Sequence, residues 1–224
     1  MSPRTAFMVG APVAFGALLT QHPMGTGDFF TAAAENATPW LAVHLAGAVL
    51  FPAMALVVWL LLRDVPGRAA TVARVALPVY AVFYLVFEAV MGIAVGVLAN
   101  AGQDFEGARR QGLAEAINTI PTSPIVGESG IFCAVGSIAW WVAVSAAIMA
   151  LNRAGASRAS LILLGIGGTM VFHSLLGPIA LPALAAAAYL IERRRPSTLA
   201  TQSFSNRPSG SSSARAAWNA SHSG

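Results

Sequence analysis

Glu88 is the one carboxylic acid inside residues 76–99, a run that is otherwise apolar. At about 1.5 Å per residue the run is long enough to cross a bilayer core of roughly 30 Å. An ionisable group placed there costs roughly 2.5–3.5 kcal/mol on insertion scales, so its surroundings must compensate it. Two uses follow. The carboxyl can take a proton or cation inside a helix bundle, or it can stay protonated, hydrogen-bonded to a neighbour, and serve packing specificity. Tyr84, four residues earlier, is its obvious local partner, and His44 is a partner across helices. Glu88, Tyr84 and His44 are the candidate ligand- or proton-binding group.

Histidines supply the second constellation. His22, His44 and His173 fall in one layer of the topology derived below, and His222 lies in the tail. Three imidazoles with one open position suit a transition metal such as zinc, with Glu88 as ligand, second acceptor or proton carrier. Two histidines on different helices could instead be axial haem ligands. The plainer reading has each one at a helix end, hydrogen-bonded to a carbonyl or a headgroup. No His-x-x-x-His or Glu-x-x-His pair is present. The cofactor therefore stays open between metal, haem and none.

Other residues carry blander readings. Trp40, Trp59, Trp140 and Trp141 read as interface anchors and core rather than a stacking platform. Gly165, Gly167 and Gly168 sit in an apolar helix with no strand before them, so they read as close helix packing and not as a phosphate loop. Asp28 and Glu35 read as part of a solvated loop, and Cys133 as a buried inert thiol. There is no Ser-His-Asp order, no nucleophile elbow, no DNA-reading module, and no Walker lysine, because the chain has no lysine at all.

The elements that must position these groups follow from composition. The chain is 56% hydrophobic and 10% charged, against about 25% charged in a soluble domain. It cannot cover a water-facing surface. Continuous apolar runs exclude a β-barrel and give an all-α, polytopic transmembrane bundle. The spacing predicts helices at about 5–21, 39–62, 71–99, 127–151, 159–175 and 178–191, with 196–224 a disordered Ser-, Asn- and Gly-rich tail. Residues 5–21 are read as a retained first helix, because no Ala-x-Ala cleavage pattern follows. Thr38 is a candidate cap for the second helix, and Pro52 should kink it. Residues 103–118 read as a helix lying at the membrane surface. Glu88, Gly92 and Gly96 recur every four residues, so the acid faces the bundle, and the glycines form a seam for another helix or a second subunit.

Topology turns on residues 158–191. As one straight helix they would run roughly 51 Å, too long for one crossing. Gly177-Pro178 is the expected break. Six crossings put Arg4, the Arg63–Arg74 and Arg153–Arg158 linkers and Arg193-Arg194-Arg195 on the cytoplasmic side, whereas five would leave that triplet outside. Both termini are then cytoplasmic, in a multi-pass protein of the cell membrane, and His22, His44 and His173 lie in the outer layer. The net charge of +4 is better read as this topology than as a nucleic-acid footprint.

His22-Pro23 with Gly25-x-Gly27-Asp28-Phe29-Phe30, then Trp40 and His44, Glu88-Ala89-x-x-Gly92-Ile93-Ala94-x-Gly96, Gly136-Ser137-x-Ala139-Trp140, and His173 with Gly177-Pro178 form a pattern over most of residues 5–195. It resembles a group of multi-pass membrane proteins from GC-rich bacteria. That resemblance implies a bacterial inner-membrane helix bundle and brings no activity with it. Three functional classes stay open. They are a non-enzymatic protein with an outward-facing polar pocket at Glu88, a metal- or haem-binding membrane enzyme using His22, His44 and His173, and a structural subunit docking through Gly92 and Gly96.

Overall fold

The computed structural model describes residues 1–23, 28–171 and 173–194, without the side chains of 171 and 173–175. Every regular element among them is helical. In order they are α1 (Pro3–Leu19), α2 (Phe29–Glu35), α3 (Ala37–Leu61), α4 (Arg68–Phe87), a π-helical segment (Glu88–Ala94), α5 (Val95–Ala101), α6 (Gly107–Thr119), a 3-10 turn (Ile120–Thr122), α7 (Ile131–Arg153), α8 (Arg158–Gly167), a second 3-10 turn (Gly168–Val171) and α9 (His173–Arg193). Four helices among the described residues are long and apolar enough to cross a membrane: Ala37–Leu61, Arg68–Ala101, Ile131–Arg153 and Leu176–Arg193. Pro3–Leu19 and Arg158–Met170 are shorter apolar helices. Val49, Val75, Ile138, Ile162 and Ile179 stand exposed on these helices, as expected of side chains that face lipid rather than water.

Local chemistry sets the helix ends. The Ser2 hydroxyl accepts from the Thr5 amide at 3.1 Å, the Asp28 carboxylate from Thr31 at 2.8 Å, and the Ser157 hydroxyl from Ser160 at 3.3 Å. Each satisfies one orphan N–H of a first turn. Gly67, at φ +104°, turns the chain into α4 through a conformation costly for any side-chain-bearing residue. Arg74 donates to the carbonyls of Leu62 and Val65, closing the C-terminal end of α3.

Consecutive long helices run antiparallel. Arg4 on α1 reaches Leu60 on α3 and Glu192 on α9, while Phe15 meets Phe51 and Gly16 meets Leu181 and Pro182. Trp40 on α3 bonds Gly92 in the π segment. On α7, Gly136 seats Tyr84 and Trp140 packs on Tyr80 of α4. Gly168 lies on Val144 and Gly165 near Ile148, which makes α8 antiparallel to α7. The chain then reverses into α9, with Gly167 against Leu184.

Several boundaries correct the sequence reading. The chain has already reversed by His173, not at Gly177-Pro178, since α9 runs unbroken through Pro178 and Pro182. Pro178 and Pro182 each leave one carbonyl without its helical donor, at Ser174 and Pro178, which a packed bundle tolerates. The α-helix of α8 instead gives way to a 3-10 turn at Gly168, whose carbonyl accepts from the Trp140 indole at 2.9 Å. Thr38 is not a cap, because α3 already begins at Ala37 behind Asn36. Residues 28–35, read as loop, hold the short helix α2 capped by Asp28. The first helix ends at Leu19, α7 starts at Ile131 rather than 127, and the helix read at 71–99 runs from Arg68 to Ala101 with a π-helical interior. The reading of 196–224 lies outside the described residues.

Candidate functional site

The site is built where α3 crosses the π segment. A π-helical turn holds an extra residue per turn, and such turns are frequent at functional sites. Here it spans Glu88 to Ala94 and so contains both the acid and Gly92. The His44 ring occupies the space a Cβ on Gly92 would fill, and Trp40 and Leu41 do the same at Gly96. The small-residue seam is therefore filled from within the chain by α3. That is a correction for docking of a second subunit through Gly92 and Gly96: close approach needs an open face, and this one is covered. The Trp40 indole donates to the Gly92 carbonyl at 2.9 Å, pinning the π segment to α3.

Glu88 is 3% exposed. A methyl group on Gly47 would sit 3.2 Å from Glu88 Oε2, so the carboxyl reaches onto α3 at the one position in that stretch with no side chain in the way. Glu88, His44 and His22 line one cavity together with Gly47, Val43, Phe51, Phe15 and Leu19. Its volume is about 10 Å³, room for a single water.

Both histidines are oriented by backbone carbonyls. His44 Nδ1 lies 2.8 Å from the Trp40 carbonyl, and His22 Nδ1 lies 3.2 Å from the Pro23 carbonyl. A carbonyl only accepts, so each Nδ1 carries the hydrogen. In the neutral ring Nε2 is then the acceptor. The two rings are 5.0 Å apart in an edge-on arrangement, and His44 is stacked on Trp40 at 4.7 Å. Burial pushes the His22 imidazole below its ordinary range, and its bond to Pro23 offsets only part of that.

Tyr84 is also buried, but its hydroxyl turns toward α7, 3.3 Å from the Ser137 hydroxyl. Gly136 provides the space for its ring. Cys133, half-buried, lies on the same side of Tyr84. His173 begins α9, at the bundle end where α1 finishes, and its side chain lies outside the described residues. Among the described residues no three His, Cys, Asp or Glu side chains converge as a metal site. Of the tryptophans, Trp40 and Trp140 are buried and hydrogen-bonded, whereas Trp59 and Trp141 are 39% exposed. Asp28 spends its carboxylate on the α2 cap, and its bond from the Thr31 amide holds its pKa below the ordinary value.

Two residues of this region carry no chemical signal in sequence. Gly47 lies one helical turn after His44, a spacing that could have marked it as the gap Glu88 enters. Tyr80 continues the Tyr84–Glu88 spacing by one more turn and is fully buried.

The arrangement offers a buried carboxyl, two oriented imidazoles and space for one water, all in the half of the bundle where α1 finishes and α3 begins. Such a set can accept, hold and release a proton. Comparison with protein families, curated proteins and solved structures finds no match to this chain.

Proposed function

We propose that this chain is a six-crossing membrane protein that takes up and releases a proton at Glu88, through a pocket open to the outer side. The cavity shared by Glu88, His44 and His22 carries this reading. Its room for one water favours a proton over an organic ligand. An acid that shares a cavity with two imidazoles, with room for a water, can lose its proton without leaving a bare charge in hydrocarbon. His44 and His22 are the next acceptors, each already turned by a carbonyl to offer Nε2.

Arginine placement supports the orientation. Arg4, Arg63, Arg68, Arg74, Arg153, Arg158 and Arg193 gather at the bundle end opposite the pocket, at the start of α1, α4, α8 and the close of α3, α7 and α9. Clusters of this kind mark the cytoplasmic face. Both termini are then cytoplasmic and the pocket faces out.

The test is proton movement in proteoliposomes carrying a pH-sensitive dye inside. The wild-type protein is expected to pass protons down an imposed gradient. Glu88→Gln, which keeps the size of the side chain, is expected to abolish that movement. Equal rates in both proteins would refute the reading.

A further inference from the structure

Two turns at the arginine-rich end of the bundle are built alike. Arg63-Asp64-Val65-Pro66-Gly67-Arg68 joins α3 to α4, and Arg153-Ala154-Gly155-Ala156-Ser157-Arg158 joins α7 to α8. Each holds two arginines at the same spacing, and each reverses the chain through a glycine of positive φ, Gly67 at +104° and Gly155 at +83°. Helix packing brings the two turns together. α4 and α7 run antiparallel, with Trp140 packed on Tyr80 and Gly136 on Tyr84. Followed in register toward this end, the same pairing sets Arg68 level with Asn152, next to Arg153. Arg158 stands across its turn from Arg153 and at the same level, because α8 runs back along α7.

Arg68, Arg153 and Arg158 are exposed and make no hydrogen bond or ion pair among the described residues. Arg4 and Arg74 differ, the first tied to Leu60 and Glu192, the second to the carbonyls of Leu62 and Val65. The acids described at this end stand elsewhere, Asp64 at 3.8 Å from Arg63 and Glu192 at 3.6 Å from Arg4. Three like charges are thus held at one level with no described carboxylate to offset them. An anion from outside lowers that repulsion. Each of the three also has an exposed apolar residue four positions deeper on its own helix face: Val72 above Arg68, Met149 above Arg153 and Ile162 above Arg158. A soluble anion uses only the charge, whereas a phospholipid uses both layers.

We propose that Arg68, Arg153 and Arg158 bind the headgroup phosphate of an anionic phospholipid, whose acyl chains lie along Val72, Met149 and Ile162. A guanidinium meets phosphate oxygens with paired N–H donors, which suits arginine to this role. A zwitterionic headgroup brings a cation of its own, which three arginines repel, so the site selects lipid of net negative charge. The proposal needs only the insertion of the bundle in a membrane. It is independent of the proton reading at Glu88, whose pocket lies in the opposite half of the bundle.

Thermal unfolding of the full chain in dodecyl maltoside micelles, titrated with dioleoyl phosphatidylglycerol, tests this. The midpoint is expected to rise with the lipid, because a ligand of the folded state stabilises it. Dioleoyl phosphatidylcholine, with the same tails, and inorganic phosphate, with the same anion, are expected to leave it unchanged. Arg68→Gln, Arg153→Gln and Arg158→Gln are each expected to raise the lipid concentration for half the effect about fivefold, the equivalent of about 1 kcal/mol per arginine at an anionic surface. Arg109→Gln, at the other end of the bundle, is expected to titrate as the wild type does. An equal rise with phosphatidylcholine would overturn the proposal, because tails alone would suffice. A rise with inorganic phosphate would overturn it in favour of a soluble anion. Three arginine variants that titrate like Arg109→Gln would overturn it as well. The wild type gives a second readout that needs no variant. Sodium chloride at about 1 M, where charges are screened within about 3 Å, is expected to abolish the rise. A rise that survives the salt would mean binding without the arginines' charge and would sink the site.

Discussion

Two tryptophans in this bundle do the same mechanical job in different company. Trp40 donates its indole to the Gly92 carbonyl, and Trp140 to the Gly168 carbonyl, both at 2.9 Å. Each bond anchors a departure from regular α-helix: a π segment in one case, a 3-10 turn in the other. Each sits beside a glycine packed hard against a neighbouring helix. Trp140 packs on Tyr80, and the glycines at its bond lie on Val144 and Leu184, all groups with no charge to exchange, ahead of a chain reversal. Around Trp40 the neighbours are His44, His22 and, across Gly47, Glu88, and the result is a pocket. The packing device does not locate function. The titratable groups it gathers do.

That contrast can be broken most severely at Gly92. A methyl group there overlaps the His44 ring at its Cβ and Cγ, close to the backbone, so Gly92→Ala must displace α3. At Gly96 the overlap is with Leu41 and Trp40 side-chain atoms that can turn away. Gly92→Ala is expected to cost about 3 kcal/mol and Gly96→Ala about 1 kcal/mol. Thermal unfolding in detergent would show the order, and equal losses would mean that His44 is not held against the π segment.

The indole bonds sharpen the contrast at smaller scale. Trp140→Phe removes one donor to a buried carbonyl and is expected to cost about 1–2 kcal/mol while leaving proton movement intact. Trp40→Phe is expected to cost a similar amount and to slow proton movement as well, because it loosens the stack under His44. Both activities unchanged, or both lost, would erase the distinction between the two regions.

The smallest expected effect belongs to His22 and pH. Its folded pKa lies below the ordinary value of 6.5, so the unfolded chain binds this proton first as pH falls. The stability it contributes is full above about pH 6.5 and is lost as pH drops below that value toward the folded pKa. Unfolding midpoints measured across that window should fall toward acid in the wild type and less so in His22→Gln. Parallel profiles would place the imidazole in water.

Much of this was legible in the chain. Composition already points to apolar helices long enough to cross a membrane, and a lone acid in an apolar run announces itself because its insertion needs compensation. Counting helix ends was enough to bring His22 and His44 to one end. Other features depend on contacts that no spacing reveals. Pro178 and Pro182 look like breakers, yet α9 runs through both, while the α-helix before it tightens to 3-10 at Gly168, whose carbonyl takes a bond from Trp140 on a different helix. Tyr84 looks like a partner for Glu88, yet its hydroxyl turns to Ser137, which depends on the register of α7 against α4. The seam at Gly92 was visible as a close approach, but which surface fills it is decided by the large residues of α3. Helix α2 was hidden by its length of 7 residues, too short for a periodicity to show.

The central claim is that Glu88 changes protonation in contact with the outer solution. The most direct measurement is the carboxylic-acid C=O stretch of the reconstituted protein during a step in external pH. A band missing from Glu88→Gln should change reversibly with each outer step and ignore steps made inside. A Glu88 band that stays fixed, or that answers only the inner solution, would contradict the account.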